Sequence, residues 1–136
     1  MSNISFAWTT PALLAGCKTV TRRQWTEGHA KRFHKGDLVT AYDKNPRFGG
    51  KPVATIRLTA DPYQESTDLI PLDDWHSEGF EYLSEQNVLV NRKSPHELWK
   101  SWRVQPEVMW VIRFELVEVR QGNDQLSTKT LARRPT

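Results

Sequence analysis

Gly16-Cys17-Lys18-Thr19-Val20-Thr21-Arg22-Arg23 is the stretch on which the fold turns. Just upstream, Thr10 caps a short helix that carries Pro11 in its first turn, where a missing N–H costs nothing, and Gly16 closes that helix. Downstream, the β-branched Thr19, Val20 and Thr21 favour extended backbone. The chain therefore passes from a helix end into a strand or extended loop, with Lys18 at the junction and two arginines directly after it.

Working outward, Ile4, Phe6 and Trp8 alternate with Asn3, Ser5 and Ala7, the period of a strand with one buried face. Trp8 and Phe33 are expected in the core. Residues Gly28 to Lys35 read as a brief helix closed at Gly36, followed by a strand from Leu38 to Tyr42. Turn residues Asn45, Pro46, Gly49 and Gly50 lead to a further strand through Val53, Thr55, Ile56 and Leu58. The stretch between Pro62 and Pro71 is polar and reads as a loop. Asp73 to Glu85 has helical potential interrupted by Gly79, and Ser94-Pro95-His96-Glu97 has the form of a capping box opening a helix through Leu98, Trp99 and Trp102. Val108, Trp110, Ile112, Phe114 and Leu116 give the longest strand signal, apolar on both faces at its start and therefore central.

At 136 residues, 38% hydrophobic and with six tryptophans, the chain can build one core. The fold class expected is α+β, mostly antiparallel, in one domain over residues 1–120, with a mobile polar and basic tail over 121–136. No apolar run approaches the roughly 20 residues that span a bilayer, so a cytoplasmic protein without membrane contact is expected. Cys17 is the only cysteine, which excludes an intrachain disulfide. Its thiol is either activated by the basic residues beside it or inert and partly buried. His29, His34, His76 and His96 lack metal-ligand spacing, and no phosphate-binding glycine loop is present; neither metal nor cofactor is expected.

Charge is distributed unevenly. Lys18, Arg22, Arg23, Lys31, Arg32 and Lys35 crowd one stretch, opposed by Glu27, whereas Asp61 to Gln86 carries eight carboxylates and no lysine or arginine. The asymmetry reads as a basic surface for phosphate beside an acidic lobe, or as two solvated faces of opposite sign. Arg22, Arg23, Lys31 and Arg32 are interleaved with Trp25, which suits single-stranded RNA: bases stack on aromatic rings while the cations hold the backbone. Lys18 and Thr21, three residues apart, have catalytic potential of another kind. A threonine hydroxyl needs an adjacent base, and a lysine serves as one when burial or neighbouring cations depress its pKa. Glu78 would position that lysine or pass a proton, although spacing alone does not join it to the other two.

These residues resemble the ASCH family of the PUA-like superfamily. Its hallmark runs glycine, any residue, lysine, two variable residues, usually glutamate, one more residue and arginine; Gly16, Lys18 and Arg23 match, and Thr21 stands where glutamate is common. The opening strand, Leu13-Leu14-Ala15-Gly16, Lys35-Gly36-Asp37 and Glu78-Gly79-Phe80 extend the likeness over most of residues 3–119. The resemblance implies a PUA-like β-barrel of five or six strands with short peripheral helices, a cleft between barrel and helices, and RNA binding. One branch, similar to bacterial acetylcytidine amidohydrolase, has threonine at the place of Thr21 and removes the acyl group from acylated cytidine. Carried over, Lys18 is the base, Thr21 the nucleophile and Glu78 the charge partner. This chain departs from that branch in its additional residues between Val88 and Glu107 and in the doubled Arg22-Arg23. The leading expectation is thus an RNA- or modified-nucleoside-binding domain with a basic cleft around Lys18–Arg23. An amidohydrolase is the alternative, a ribonuclease stands third, and the oligomeric state is left open.

Overall fold

The structure, a computed structural model, describes residues 2–120. The tail expected over 121–136 lies outside the described residues. Six strands form one curled sheet: β1 (Asn3–Ser5), β2 (Val20–Arg23), β3 (Leu38–Tyr42), β4 (Pro52–Leu58), β5 (Tyr63–Ser66) and β6 (Val108–Val119). Among the described residues five α-helices lie between them: α1 (Thr10–Leu14), α2 (Glu27–Ala30), α3 (Asp74–Ser77), α4 (Phe80–Glu85) and α5 (Pro95–Val104).

Strand order is β1-β3-β4-β6-β2, with β5 paired to β6. Every pairing is antiparallel except β1 with β3. β6 is the spine, as its two-faced apolar pattern predicts. Its first half pairs with β2 and β5, and from Phe114 onward it pairs with β4. The fold is α+β, as expected, but the barrel is half closed. β1 pairs only three residues, and its outer edge meets β2 through a side chain: Arg23 Nη2 donates to the Ser5 carbonyl at 2.6 Å. A sheet joined there by a guanidinium rather than a ladder curls without sealing.

Two apolar cores follow from this. The concave face of the sheet gathers Ile4, Phe6, Val39, Ile56, Ile112 and Phe114 with Leu13 and Phe33. A second cluster beneath the helices joins Ala12, Ile70, Phe80, Leu83 and Trp102. The helix through Trp99 and Trp102 forms as expected, with both hydrogen bonds of the Ser94/Glu97 capping box in place.

Several local expectations are corrected. The helix expected over Gly28 to Lys35 is a single turn, Glu27–Ala30: Thr26 caps its start by accepting from the His29 N–H, and beyond Lys31 the N–H groups of Arg32 and Phe33 turn back to the carbonyls of His29 and Ala30, three residues earlier. Thr9, not Thr10, occupies the cap position of α1. The stretch read as a loop after Pro62 contains β5, whose pairing with β6 overrides its polar sequence. The opening strand stops at Ser5. Ala7 takes φ +43°, a left-handed conformation that sends the chain into a 3-10 turn and leaves Trp8 55% exposed instead of in the core. Phe33 is buried as expected.

Candidate functional site

The segment Gly16–Arg23 runs along the seam between the two cores. Gly16, at φ +78°, turns the chain out of α1. The Thr19 N–H then donates to the Ser77 carbonyl at 2.7 Å, and the Thr19 carbonyl accepts from the Phe114 N–H at 2.9 Å. Lys18 is thereby pinned between α3 and β6. Strand alternation along β2 sends Thr21 and Arg23 to one face and Arg22 to the other.

Lys18 is fully buried, and its ammonium has two acceptors on one residue: Glu78 Oε1 at 2.9 Å and the Glu78 backbone carbonyl at 3.0 Å. Gly79 makes this approach possible. It sits at φ +87°, and a Cβ there would lie 2.6 Å from Ala12 Cβ and 3.2 Å from Lys18 Cβ. Glu78 Oε2 accepts from Arg22 Nη1 at 2.7 Å, and Arg22 Nη2 also reaches Asp74 at 2.6 Å and Glu65 at 2.8 Å. Arg113, on β6, closes the network with 3.1 and 2.7 Å hydrogen bonds to the two oxygens of Asp74. Lys18 and Glu78, joined in the sequence only through a family resemblance, are therefore in contact.

The network shifts ionisation in predictable directions. Burial pulls the Lys18 pKa below its ordinary value; Arg23 and Arg22 add to this, and Glu78 opposes it. Burial also lowers Arg23, to about 10, against the pull of Glu78. For Arg22 the burial penalty is outweighed by Glu78, Glu65 and Asp74, so its pKa rises. For Asp74 burial is outweighed by hydrogen bonds from Arg113 and Arg22, so its carboxyl sits below the ordinary range.

A pocket of about 310 Å³ opens beside this network, at the small end of the roughly 300–1,000 Å³ of ligand pockets. Lys18, Thr21, Arg22, Arg23 and Glu78 supply its polar side. Phe6, Trp8, Phe80 and Trp102 are among its apolar walls. Thr21 Oγ1 accepts from Arg23 Nε at 3.1 Å, and no hydrogen bond joins Thr21 to Lys18 among the described residues.

The residues expected on phosphate separate into three places. Arg22 stands apart: its side chain is 1% exposed and its terminal nitrogens are taken by carboxylates. Arg23 lines the pocket, with its guanidinium over the Phe6 ring at 5.4 Å. Lys31 and Arg32 are exposed at the end of α2. Lys31 pairs with Glu27 at 2.9 Å, and Arg32 borders a hollow of about 460 Å³ with Ser2, Asn3, His29 and Phe33. Trp25, expected to stack on a base, already stacks on Phe33 at 4.7 Å, with His29 against it at 4.5 Å. Cys17 is exposed.

Sequence reading missed Trp8, Glu65, Asp74 and Arg113. For Trp8 the signal was present in Thr9-Thr10-Pro11, a helix start that obliges the strand to end earlier. For Arg113 it was a cation between Ile112 and Phe114 in a central strand, which needs a buried partner.

No protein-family model matches the chain, and no curated protein does. Among solved structures, protein EF3133 of Enterococcus faecalis V583, described as a DUF984 protein, aligns over 92% of this chain and 86% of its own, with a TM-score of 0.55 and 16% sequence identity. A likeness at that identity is one of fold. No helix among the described residues is long and apolar enough to cross a membrane.

Proposed function

We propose that the chain is a PUA-like domain of the ASCH kind that binds one nucleobase, from unpaired RNA or a free modified nucleoside, in the pocket between Trp8 and the Lys18–Glu78 pair. The observation that carries this reading is Trp8, an indole 55% exposed at the rim of a pocket whose far side is polar and charged. An exposed tryptophan gives up hydration favourably only when another flat apolar surface covers it, and every base has such a face. The pocket size fits one base rather than a duplex. Arg32 and His29 border a hollow at the Asn3 end of β1, and the pocket lies at its Ser5 end, so a single strand has a route along the β1 edge from base to cation.

The test is titration of the folded protein with the common and acylated nucleosides and with short single-stranded RNA. Trp8→Ala should weaken binding by about 1–3 kcal/mol, roughly 5- to 150-fold, at unchanged melting temperature. Equal affinity in Trp8→Ala and the parent protein would sink the reading.

A second reading is favoured by the depressed pKa of Lys18 in the same pocket as Thr21. A neutral Lys18 would take the Thr21 proton as the Thr21 oxygen attacks the acyl carbon of an acylated cytidine, then return it to the departing amine. Water would release the carboxylic acid from the ester. Mass spectrometry of incubated acylated nucleosides decides this: product that disappears in Lys18→Met and Thr21→Val supports it, and intact substrate refutes it. Fragments from incubated RNA would indicate the ribonuclease instead.

A further inference from the structure

The ionic network leaves one cation over. Glu65, Asp74 and Glu78 are met by Lys18, Arg22 and Arg113 at 2.6–2.9 Å. Arg23 has no carboxylate within 4.0 Å among the described residues. Among the described residues its hydrogen bonds go to neutral oxygens, Thr21 Oγ1 at 3.1 Å and the Ser5 carbonyl at 2.6 Å. A guanidinium has five N–H groups, so three remain unspent. Even at a pKa of about 10, Arg23 is charged at neutral pH. Glu78 acts on Arg23 only from beyond ion-pair distance, so this partly buried cation is under-compensated, which is costly, and it lines a pocket that an anion could enter.

The hydrogen-bond inventory points the same way. Thr21 Oγ1 accepts from Arg23, and among the described residues its own hydroxyl proton has no acceptor. Protonated Lys18 has three N–H groups and spends two on Glu78. The acceptors nearest the pocket floor are already engaged, with Glu78 Oε1 on Lys18 and Oε2 on Arg22. Arg23, Thr21 and Lys18 thus offer unspent donors at one wall, beside carboxylate oxygens that already have cations.

From this arrangement we infer that the ligand is a nucleotide rather than a neutral nucleoside, with a phosphate oxygen held by Arg23 and the Thr21 hydroxyl while the base lies toward Trp8. The inference rests on the nucleobase reading for its base, and on the unmatched Arg23 for its anion. It makes Arg23 and Thr21 specificity-determining residues. It also separates two kinds of phosphate contact: this one inside the pocket, and any made by Lys31 and Arg32 on the surface.

Calorimetric titration with the four nucleosides, their 5′- and 3′-monophosphates and inorganic phosphate tests the assignment. The expected result is that one monophosphate series binds at least about tenfold more tightly than its nucleosides. That gain should fall below about threefold in Arg23→Met and in Thr21→Val, and persist in Lys31→Ala and Arg32→Ala. Because Arg23 also joins β1 to β2, melting curves accompany each variant; if Arg23→Met fails to fold, Thr21→Val carries the comparison. Equal binding of nucleosides and nucleotides, or a gain abolished by Lys31→Ala or Arg32→Ala instead, overturns the inference. Binding of inorganic phosphate that needs Arg23, without any binding of nucleoside or nucleotide, would keep the anion site and defeat the nucleobase reading. No binding of any of these probes defeats both.

Discussion

Gly79 shows how one residue without a side chain sets the site. Its left-handed backbone ends α3 and starts α4, and its bare Cα lets Lys18 and Ala12 close on the turn. Gly79→Ala adds backbone strain of about 1–2 kcal/mol and overpacking of about 1–3 kcal/mol, so a loss of roughly 2–5 kcal/mol is expected in urea denaturation. Gly16 shares the positive φ but has nothing within 4 Å of an added Cβ, so Gly16→Ala should lose only the backbone strain. Equal losses would mean that crowding against Ala12 and Lys18 does not matter. The importance of Gly16 and Gly79 was legible in the sequence as punctuation between elements. The pairing of Lys18 with Glu78, sixty residues apart, was not legible from spacing, because no local pattern encodes a contact between a helix end and a distant strand entry. Trp8 was misread for a different reason: the alternation of Ile4, Phe6 and Trp8 outweighed the helix start at Thr9-Thr10-Pro11, and the side chain of Ala7 carries no sign of its φ of +43°.

At the scale of elements, α3 is a single turn held by charge. Asp74 and the adjoining Glu78 tie it to β2 through Arg22, Glu78 also binds Lys18 just ahead of β2, and Asp74 ties it to β6 through Arg113. The Asp74 carboxyl lies below its ordinary value of 3.8, so the unfolded chain binds its proton more readily. The resulting stability is fully present above about pH 3.8 and is lost as pH falls through the lower folded value. Protein carrying Asp74→Asn should therefore be less stable at neutral pH and lose less on acidification, measured by denaturant midpoints across pH 2 to 6. Parallel acid slopes in the two proteins would refute this. The sequence displayed these partners as opposite charge runs, read as a basic surface beside an acidic lobe. In the fold the two runs partly neutralise each other, since Lys18 and Arg22 come from the first and Glu65, Asp74 and Glu78 from the second. Strong signals such as the β6 alternation and the Ser94 capping box survived folding because they are local. β5 was hidden because an edge strand with exposed Tyr63 and Gln64 has no buried face to announce.

At the scale of the molecule, the half-barrel places buried and exposed cations in different roles, and salt can tell them apart. Each phosphate neutralised on a single strand contributes about −0.7 to the slope of log affinity against log salt. Arg22 is enclosed by its own carboxylates and should release no counterion on binding, whereas Arg32 faces solvent beside β1 and Lys31 is exposed next to it in the chain. Fluorescence anisotropy of a labelled single-stranded RNA, followed from about 50 to 200 mM salt, should thus show a slope that shrinks by about 0.7 in Arg32→Ala and by less in Lys31→Ala, since Glu27 competes for Lys31. Trp8→Ala should lower affinity by a constant factor at every salt concentration, because stacking carries no charge. Arg22→Ala belongs to stability: removing one partner from a buried ionic network costs about 3–5 kcal/mol, and its effect should appear in the melting curve rather than in the slope. A folded Arg22→Ala protein whose slope falls as far as that of Arg32→Ala would place Arg22 on the RNA after all, and the division between network and surface would have to be redrawn.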